Sequence, residues 1–210
     1  MDTLPPDIVV NPDRVARVRA ALSRRLGSVV AVCEAVRRRH NVSAILRSCE
    51  AFGIHEVHLV SAGFRPSPGA ARGAERWVRR RRFDTVAESI ADLRGRGFRV
   101  YAADLGDGAF TPETVPVSAP VAIVFGSEVQ GVSAQARGLV DGTVCVPMRG
   151  LTESLNVSVS AAIVLRAVAD RRRALVGDDL AESEQQRFVD HWLAAEERAL
   201  LGRLARTAAP

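Results

Sequence analysis

Lysine is absent from this sequence, and all 29 of its basic residues are arginines. Each basic side chain is therefore a permanently charged, planar guanidinium, a group whose geometry matches phosphate. A GC-rich genome would produce the same bias, so the absence of lysine does not identify a partner by itself.

Acidic residues are concentrated in residues 178–198, which hold seven of them against two arginines. The net charge of this segment is −5, and since the whole chain carries +5, the remaining residues carry +10. A basic body of this kind predicts a polyanionic partner. The alternative is an ordinary solvated surface.

Cysteine is scarce, and Cys33, Cys49 and Cys145 form no C-x-x-C pair. We therefore expect neither a metal site nor a disulfide framework. The three cysteines are predicted to be reduced core residues of a cytoplasmic protein.

Long apolar runs are also missing, and none approaches the length of a membrane span. The first residues, M-D-T-L-P-P-D-I, have the pattern of neither a signal peptide nor a transit peptide. A hydrophobic content of 47% is ordinary for a globular protein, so we expect one soluble domain with appended helices and no membrane partner.

Common signatures of nucleotide and protease chemistry are absent as well. No G-x-G-x-x-G follows a strand and no G-x-x-x-x-G-K-[ST] occurs, which disfavours dinucleotide dehydrogenases and P-loop NTPases. The sequence has no H-E-x-x-H, and no histidine and acid have the spacing of a catalytic triad.

Apolar segments typical of strands alternate with amphipathic segments typical of helices, which predicts an α/β fold with a mostly parallel sheet flanked by helices. A core domain is expected at residues 28–174, between helical extensions at 1–27 and 175–210. Strands are predicted at residues 29–36, 56–60, 77–83 (basic, at an edge), 98–103, 120–125 and 144–146. Helices are predicted at residues 12–26, 41–52, 84–95 (with a Thr85–Glu88 capping box), from about 133, 154–168 and 182–206.

Three segments that follow predicted strands hold most of the uncommitted polar side chains. They are residues 39–41 with Arg47, residues 126–128 and residues 150–156. In an open α/β sheet, ligands bind at the carboxyl ends of the strands, so these segments predict a binding site. The alternative for the third segment is structural, with Ser154 as a simple helix N-cap and Asn156 as a solvated residue of the first turn.

The same segments resemble the motifs of a known family, in order and at matching spacing. They read H-N-V-S-A-I-L-R-S-C-E-A-F-G at residues 40–53, I-V-F-G-S-E-V-Q-G-V-S at residues 123–133 and V-P-M-R-G-L-T-E-S-L-N-V-S-V-S at residues 146–160. Over about residues 14–205 the chain resembles the SpoU branch of the SPOUT RNA methyltransferases, and within that branch it is most similar to the TrmH subfamily.

This resemblance implies a deep trefoil knot at the C-terminal edge of the sheet, with residues 146–156 tucked into it. It also implies a homodimer whose site is completed across the interface, and S-adenosylmethionine as cofactor, bound largely by backbone groups of the knot. The positions that match the family's cofactor site are Ala103, Gly126, Val146, Met148 and Leu155.

The activity implied by the resemblance is methyl transfer to a ribose 2′-hydroxyl of tRNA, at guanosine 18 in the D-loop. Arg47 would lie at this hydroxyl, either as an unusual general base or as a guanidinium that holds a phosphate and stabilises the developing alkoxide. The other catalytic positions are Asn41, Glu128, Ser154 and Asn156, and the RNA-binding positions are Arg17, Arg25, His40 and Arg172. His40 is also the titratable alternative to Arg47.

The sequence departs from the family pattern at a few positions, and two alternative functions also stay open. Val129 replaces a usual lysine, Arg38 and Arg39 replace lysine–proline, and Glu153 replaces glutamine, so RNA selectivity could differ. A ribosomal-RNA 2′-O-methyltransferase of the same branch would usually carry a separate N-terminal RNA-binding domain, whereas about 27 residues precede the first predicted strand here. A catalytically silent RNA-binding homologue would have lost the catalytic residues, which are all present.

Overall fold

The computed structural model describes residues 10–60, 73–106 and 108–207. Most of the segment between the strands predicted at residues 56–60 and 77–83 lies outside the described residues. No helix within these three ranges is long and apolar enough to cross a membrane.

Six parallel strands form one sheet, in the order β3-β2-β1-β5-β4-β6. The central strands are buried and mostly apolar because helices cover both faces of the sheet. This confirms the predicted α/β class and the edge position of the basic strand. The strands are β1 (Leu26–Glu34), β2 (Ile54–Val60), β3 (Arg79–Phe83), β4 (Arg99–Ala103), β5 (Val121–Phe125) and β6 (Gly142–Val144).

The helices follow the strands as the sequence predicts, with shifted ends. Thr85 and Glu88 form the predicted capping box at the start of α3. The helices are α1 (Pro12–Leu22), α2 (Arg39–Ala51), α3 (Val86–Gly95), α4 (Ala134–Arg137), α5 (Val157–Val176) and α6 (Glu182–Thr207), and a 3-10 helix spans Ala74–Arg76.

Two apolar cores lie on the two faces of the sheet. One joins residues of α2 and α5 to β1, β2 and β5, and includes the buried Cys33 and Cys49. The other joins α3 and α4 to the opposite face, where Val30 and Val32 of β1 point. Cys145 is only half-buried, so the prediction that all three cysteines lie in the core is wrong for this one.

By compactness the chain divides into two units, one of residues 26–179 and one that combines residues 1–25 with residues 180–210. Within the second unit, Arg14 donates to both carboxylate oxygens of Glu196, at 3.2 and 3.3 Å, and lies over the ring of Trp192. Arg19 donates to Gln186 at 2.7 Å. Two arginines of α1 are therefore paired with side chains of α6.

Several element boundaries differ from the prediction, among them the following three. The helix predicted at residues 12–26 ends at Leu22, because Leu26 already belongs to β1 and its N–H donates to the Gly53 carbonyl at 2.8 Å. The strand predicted to end at Val146 ends at Val144. The helix predicted from Ser154 begins only at Val157.

Candidate active site

Asn156 is the N-cap of α5. Its side-chain oxygen accepts hydrogen bonds from the Ser158 N–H at 2.8 Å and from the Ser158 hydroxyl at 2.6 Å. Ser154 lies two residues earlier, in the loop, and is exposed. The alternative in which Ser154 caps the helix is therefore wrong, because Asn156 is the N-cap. Ser154 does not cap the helix and its side chain can serve another role.

A chain of side-chain hydrogen bonds joins the three motif segments. The Asn41 amide donates to the Glu128 carboxylate at 2.7 Å, and the Asn156 amide donates to the Asn41 oxygen at 3.2 Å. A carboxylate only accepts hydrogen bonds, so the Asn41 nitrogen must face Glu128 and its oxygen must face Asn156. Asn41 is buried, and its orientation is therefore set by both neighbours.

The Glu128 carboxylate is held in its ionised form. It also accepts hydrogen bonds from the backbone N–H groups of Arg37 at 3.4 Å and Arg38 at 3.3 Å. Partial burial acts to raise the pKa of Glu128, but the hydrogen bonds from Asn41 and from the backbone outweigh it, so the pKa lies below its usual value. The site thus holds a fixed negative charge beside the start of α2.

A second carboxylate, that of Glu34, also connects the end of β1 with the segment after β5. Here the carboxylate belongs to β1 and the donors belong to the segment after β5. Glu34 ends β1, and it accepts from the Ser133 N–H at 2.9 Å and from the Ser133 hydroxyl at 2.5 Å, just before α4. Sequence analysis missed this residue. The available signal was an acid at the end of an otherwise apolar strand, which must find a partner if it is buried.

One cavity of about 530 Å³ lies at the carboxyl ends of β4, β5 and β6. Catalytic candidates Glu128, Ser154 and Asn156 line it, together with Cys145. All five residues predicted to bind the cofactor also line it, namely Ala103, Gly126, Val146, Met148 and Leu155.

Gly126 allows the wall of this cavity to form. A Cβ atom at this position would lie 2.0–2.2 Å from backbone atoms of Gly131 and Val132. The close approach reflects a tight turn, in which Ser127 and Gly131 exchange backbone hydrogen bonds of 2.9 and 3.0 Å. Only glycine fits this position without displacing the turn.

Arg47 does not line the cavity. It lies on α2, about 9 Å along the helix axis from Asn41, and its side chain is exposed. This side chain makes no hydrogen bond or ion pair with any other residue that the structure describes. The described chain therefore brings Asn41, Glu128, Ser154 and Asn156 together and leaves Arg47 on an outer surface.

The four predicted RNA contacts differ in exposure. Arg17 and His40 are exposed. Arg25 and Arg172 are buried, with 4% and 7% of their surface accessible. Arg172 donates to the Ser28 hydroxyl at 2.9 Å and to two backbone carbonyls at 2.8 and 3.0 Å. The prediction that Arg25 and Arg172 contact RNA is therefore at odds with the structure, because a buried guanidinium cannot reach a phosphate.

The sequence model of the SpoU rRNA methylase family matches residues 28–166, the part of the chain that carries all three motifs. The chain belongs to this family. The predicted family resemblance is thereby confirmed, and the site described above lies within the matched residues.

Curated members of the family support the same assignment. The chain is 37% identical to the tRNA (guanosine(18)-2′-O)-methyltransferase of Escherichia coli, over 86% of this chain and 82% of that protein. It is 39% identical to the protein of the same name from Thermus thermophilus, over 78% of this chain and 85% of that protein.

The crystal structure of the A. aeolicus TrmH/SpoU tRNA modifying enzyme has a similar fold. It superposes with a TM-score of 0.80 at 29% sequence identity, over 88% of this chain and 96% of that one. The α/β architecture of the family therefore extends over nearly the whole chain.

Proposed function

We propose that this chain transfers a methyl group from S-adenosylmethionine to the 2′-hydroxyl of guanosine 18 in tRNA. One observation carries the proposal: the chain of hydrogen bonds from Glu128 through Asn41 to Asn156 joins three motif segments at a cavity lined by every expected cofactor position. The substrate is inferred from the two curated relatives, whose names specify this nucleotide.

The cavity suits S-adenosylmethionine in size and chemistry. A volume of about 530 Å³ lies in the range of small-molecule sites. Apolar side chains of Val144, Val146 and Leu155 offer contacts to a purine, while Asp104 and Glu128 present carboxylates to a cationic ligand. When bound, the cofactor supplies a methyl group made electrophilic by its sulfonium.

Arg47 is the residue we propose to act on the ribose. A 2′-hydroxyl is a weak nucleophile at neutral pH and must lose its proton as it attacks. A guanidinium stays protonated, so its contribution is to hold the neighbouring phosphate and stabilise negative charge on the reacting oxygen. His40, which is exposed on the same helix, is the alternative proton acceptor.

Asn41, Glu128 and Asn156 position the reacting groups. Their hydrogen bonds hold the start of α2, the turn after β5 and the start of α5 in one arrangement. Ser154 is exposed at the cavity and free of a capping role, so it can contact the substrate or cofactor. Alignment of reactants by such groups accounts for much of the rate enhancement in group transfer.

We also propose that two copies of the chain form a homodimer, which brings Arg47 of one copy to the cavity of the other. Val159 and Ile163 are 46% and 39% exposed and lie four residues apart on α5, so they form a small apolar surface on one side of this helix. The starts of α2 and α5 meet at the Asn41–Asn156 hydrogen bond. Arg47 and Ile163 therefore lie at similar heights on neighbouring helices.

The knot, the tRNA-binding role of the helical extensions and the cellular location are proposed together with the dimer. Residues 146–156 would be tucked into a trefoil knot at the C-terminal edge of the sheet, and Val146, Met148 and residues 153–156 of this segment line the cavity. The helical extensions at residues 1–27 and 175–210 would contribute to tRNA binding, with Arg17 as a contact of the first extension. His40 would be an RNA contact of the core domain at residues 28–174. The protein would be located in the cytoplasm.

Methyl transfer to defined RNA tests the proposal. Purified protein and labelled S-adenosylmethionine are incubated with an unmodified tRNA transcript, with the same transcript carrying 2′-deoxyguanosine at position 18, and with ribosomal RNA. We expect label only in the first. Label in ribosomal RNA instead would favour the ribosomal alternative that the family description suggests, and no transfer to any RNA would favour a silent binding protein.

A further inference from the structure

The outer edge of the sheet carries a dense group of arginines that the proposed chemistry does not use. Strand β3 contains Arg79, Arg80, Arg81 and Arg82 in succession, and Arg76 precedes it on the 3-10 helix. The strand pairs only with β2 within the described sheet. An edge strand needs some charge to prevent unwanted pairing with other chains, but four consecutive cations exceed that need.

The arginines divide between the two faces of the sheet because side chains alternate along a strand. Arg81 lies on the α3 side, where it donates to both carboxylate oxygens of Asp92 at 2.5 and 2.7 Å. Arg79 lies on the same side, 3.6 Å from Glu56. The charges of these two arginines are therefore balanced by acids of β2 and α3.

Arg80 lies on the other face. Its register partner is Val57, which belongs to the core that also contains α2 residues Ile45 and Leu46. The Arg80 side chain is exposed, as is that of Arg76, and neither side chain makes an ion pair or hydrogen bond with the residues described here. Arg80 thus lies on the face of the sheet that α2 covers, and Arg76 lies on the 3-10 helix, which contacts α2, the helix that carries Arg47.

We infer that Arg76 and Arg80 bind phosphates of the tRNA whose ribose reaches the active site. This inference rests on the proposed function. From β5, which carries the cavity, to β3 there are three strand spacings, or about 14 Å. An RNA strand covers that distance with about four phosphates at helical spacing. The substrate would therefore cross the outer side of α2 and continue to the β3 edge.

A double variant, Arg76→Ala with Arg80→Ala, tests this inference with the full-length chain and an unmodified tRNA transcript. Affinity is measured by filter binding across a salt series. We expect affinity to fall on the order of tenfold, and the slope of log affinity against log salt to fall by about two units, one for each lost contact. The methyl-transfer rate at saturating tRNA should stay unchanged, since neither residue lies at the cavity.

Two further variants serve as controls for the proposed phosphate contacts. One keeps the positive charge at position 80, and the other removes an arginine at a different place on the sheet. Arg80→Lys keeps the positive charge and should keep both affinity and salt slope close to wild type. Arg99→Ala removes an arginine whose side chain is 64% exposed elsewhere on the sheet, beside Asp141, and should leave tRNA affinity unchanged.

The outcomes distinguish this inference from the proposed function. If the double variant binds tRNA with wild-type affinity and salt slope, the arginines only protect the sheet edge and the inference is wrong, whatever the enzyme methylates. Wild-type protein that binds the transcript without methylating it would contradict the proposed function, while the comparison of affinities would still decide the role of Arg76 and Arg80.

Discussion

Asn41 and Glu128 lie 87 residues apart in the sequence, yet the side-chain amide of one donates a 2.7 Å hydrogen bond to the carboxylate of the other. This contact couples the first and second motifs, and Asn156 extends it to the third. A buried amide that donates to a carboxylate on one side and accepts from an amide N–H on the other has only one orientation, so these contacts also fix the loops around the cavity.

Asn41→Asp should disrupt this arrangement, because it places a carboxylate against the Glu128 carboxylate. We expect a loss of stability of about 1–3 kcal/mol and a fall in methyl-transfer rate of at least about tenfold. The double variant Asn41→Asp with Glu128→Gln restores one donor and one acceptor and should recover part of both losses. Chemical denaturation and single-turnover rates measure the cycle, and strictly additive effects would show that the two residues are not coupled.

Arg47→Ala should nearly abolish turnover, by about a hundredfold or more, because it removes the group that stabilises charge on the reacting oxygen. Cofactor affinity should be unchanged, since Arg47 does not line the cavity of its own copy and is proposed to act on the ribose at the cavity of the other. Calorimetry with S-adenosylmethionine and rates at saturating tRNA separate the two quantities.

Arg47→Lys is the companion variant. A lysine keeps the charge but lacks the planar fork, so we expect it to remain nearly inactive. Full activity of the lysine variant would remove the argument for guanidinium geometry, and a parallel fall of cofactor affinity and rate would place Arg47 in the cofactor site.

Gly126→Ala should damage the cofactor site, because the added methyl group would lie 2.0–2.2 Å from the backbone at Gly131 and Val132. Overpacking of this kind costs about 1–3 kcal/mol, and displacement of the turn should weaken S-adenosylmethionine binding. Gly95→Ala is the control, since a Cβ there meets nothing within 4 Å. Wild-type cofactor affinity in Gly126→Ala would argue against this turn as part of the site.

Ile163→Glu should dissociate the proposed dimer, because a charge would be buried at the interface. The dimer dissociation constant should rise by about a hundredfold or more, and activity should fall with it. Leu175→Glu changes a residue that is 62% exposed near the end of the same helix and should leave the dimer intact. Analytical ultracentrifugation distinguishes the two variants, and a monomeric wild-type protein at micromolar concentration would refute the dimer.

Glu56 should give the protein a defined acid sensitivity. Burial acts to raise its pKa, but hydrogen bonds and charges from His58 and Arg96 have the larger, opposite effect. The pKa is therefore lowered from the usual 4.5 to about 2. Because the folded pKa lies below the unfolded one, the stabilisation is complete above about pH 4.5 and is lost as pH falls towards 2. The free energy of unfolding of wild type should therefore fall by about 3 kcal/mol between pH 7 and pH 2 in denaturation curves because of this group, and Glu56→Gln should lack this part of the loss.

Much of the fold could be predicted from sequence because local rules decide it. Alternating apolar and amphipathic segments predicted the parallel sheet, the Thr85–Glu88 pair predicted the start of α3, and the arginine run predicted an edge strand. These features depend on residues within one helical turn or one strand.

The misses depend on contacts between distant segments. Ser154 and Asn156 are both common N-cap residues, and the hydrogen bond that ties Asn156 to Asn41, 115 residues away, is one that a local pattern cannot reveal. Glu34 gains its partner 99 residues away. A buried arginine such as Arg172 carries the same sequence signal as an exposed one, and only the surrounding carbonyl groups distinguish them.

The central claim is that this chain methylates guanosine 18 of tRNA, and mapping 2′-O-methyl groups in cells tests it most directly. Total tRNA and ribosomal RNA are compared between a strain that carries the gene and one from which it has been deleted. We predict that the 2′-O-methyl group at position 18 disappears from tRNA in the deletion strain and returns with wild-type protein but not with Arg47→Ala. Intact methylation at position 18, together with loss of a methyl group from ribosomal RNA, would contradict the account.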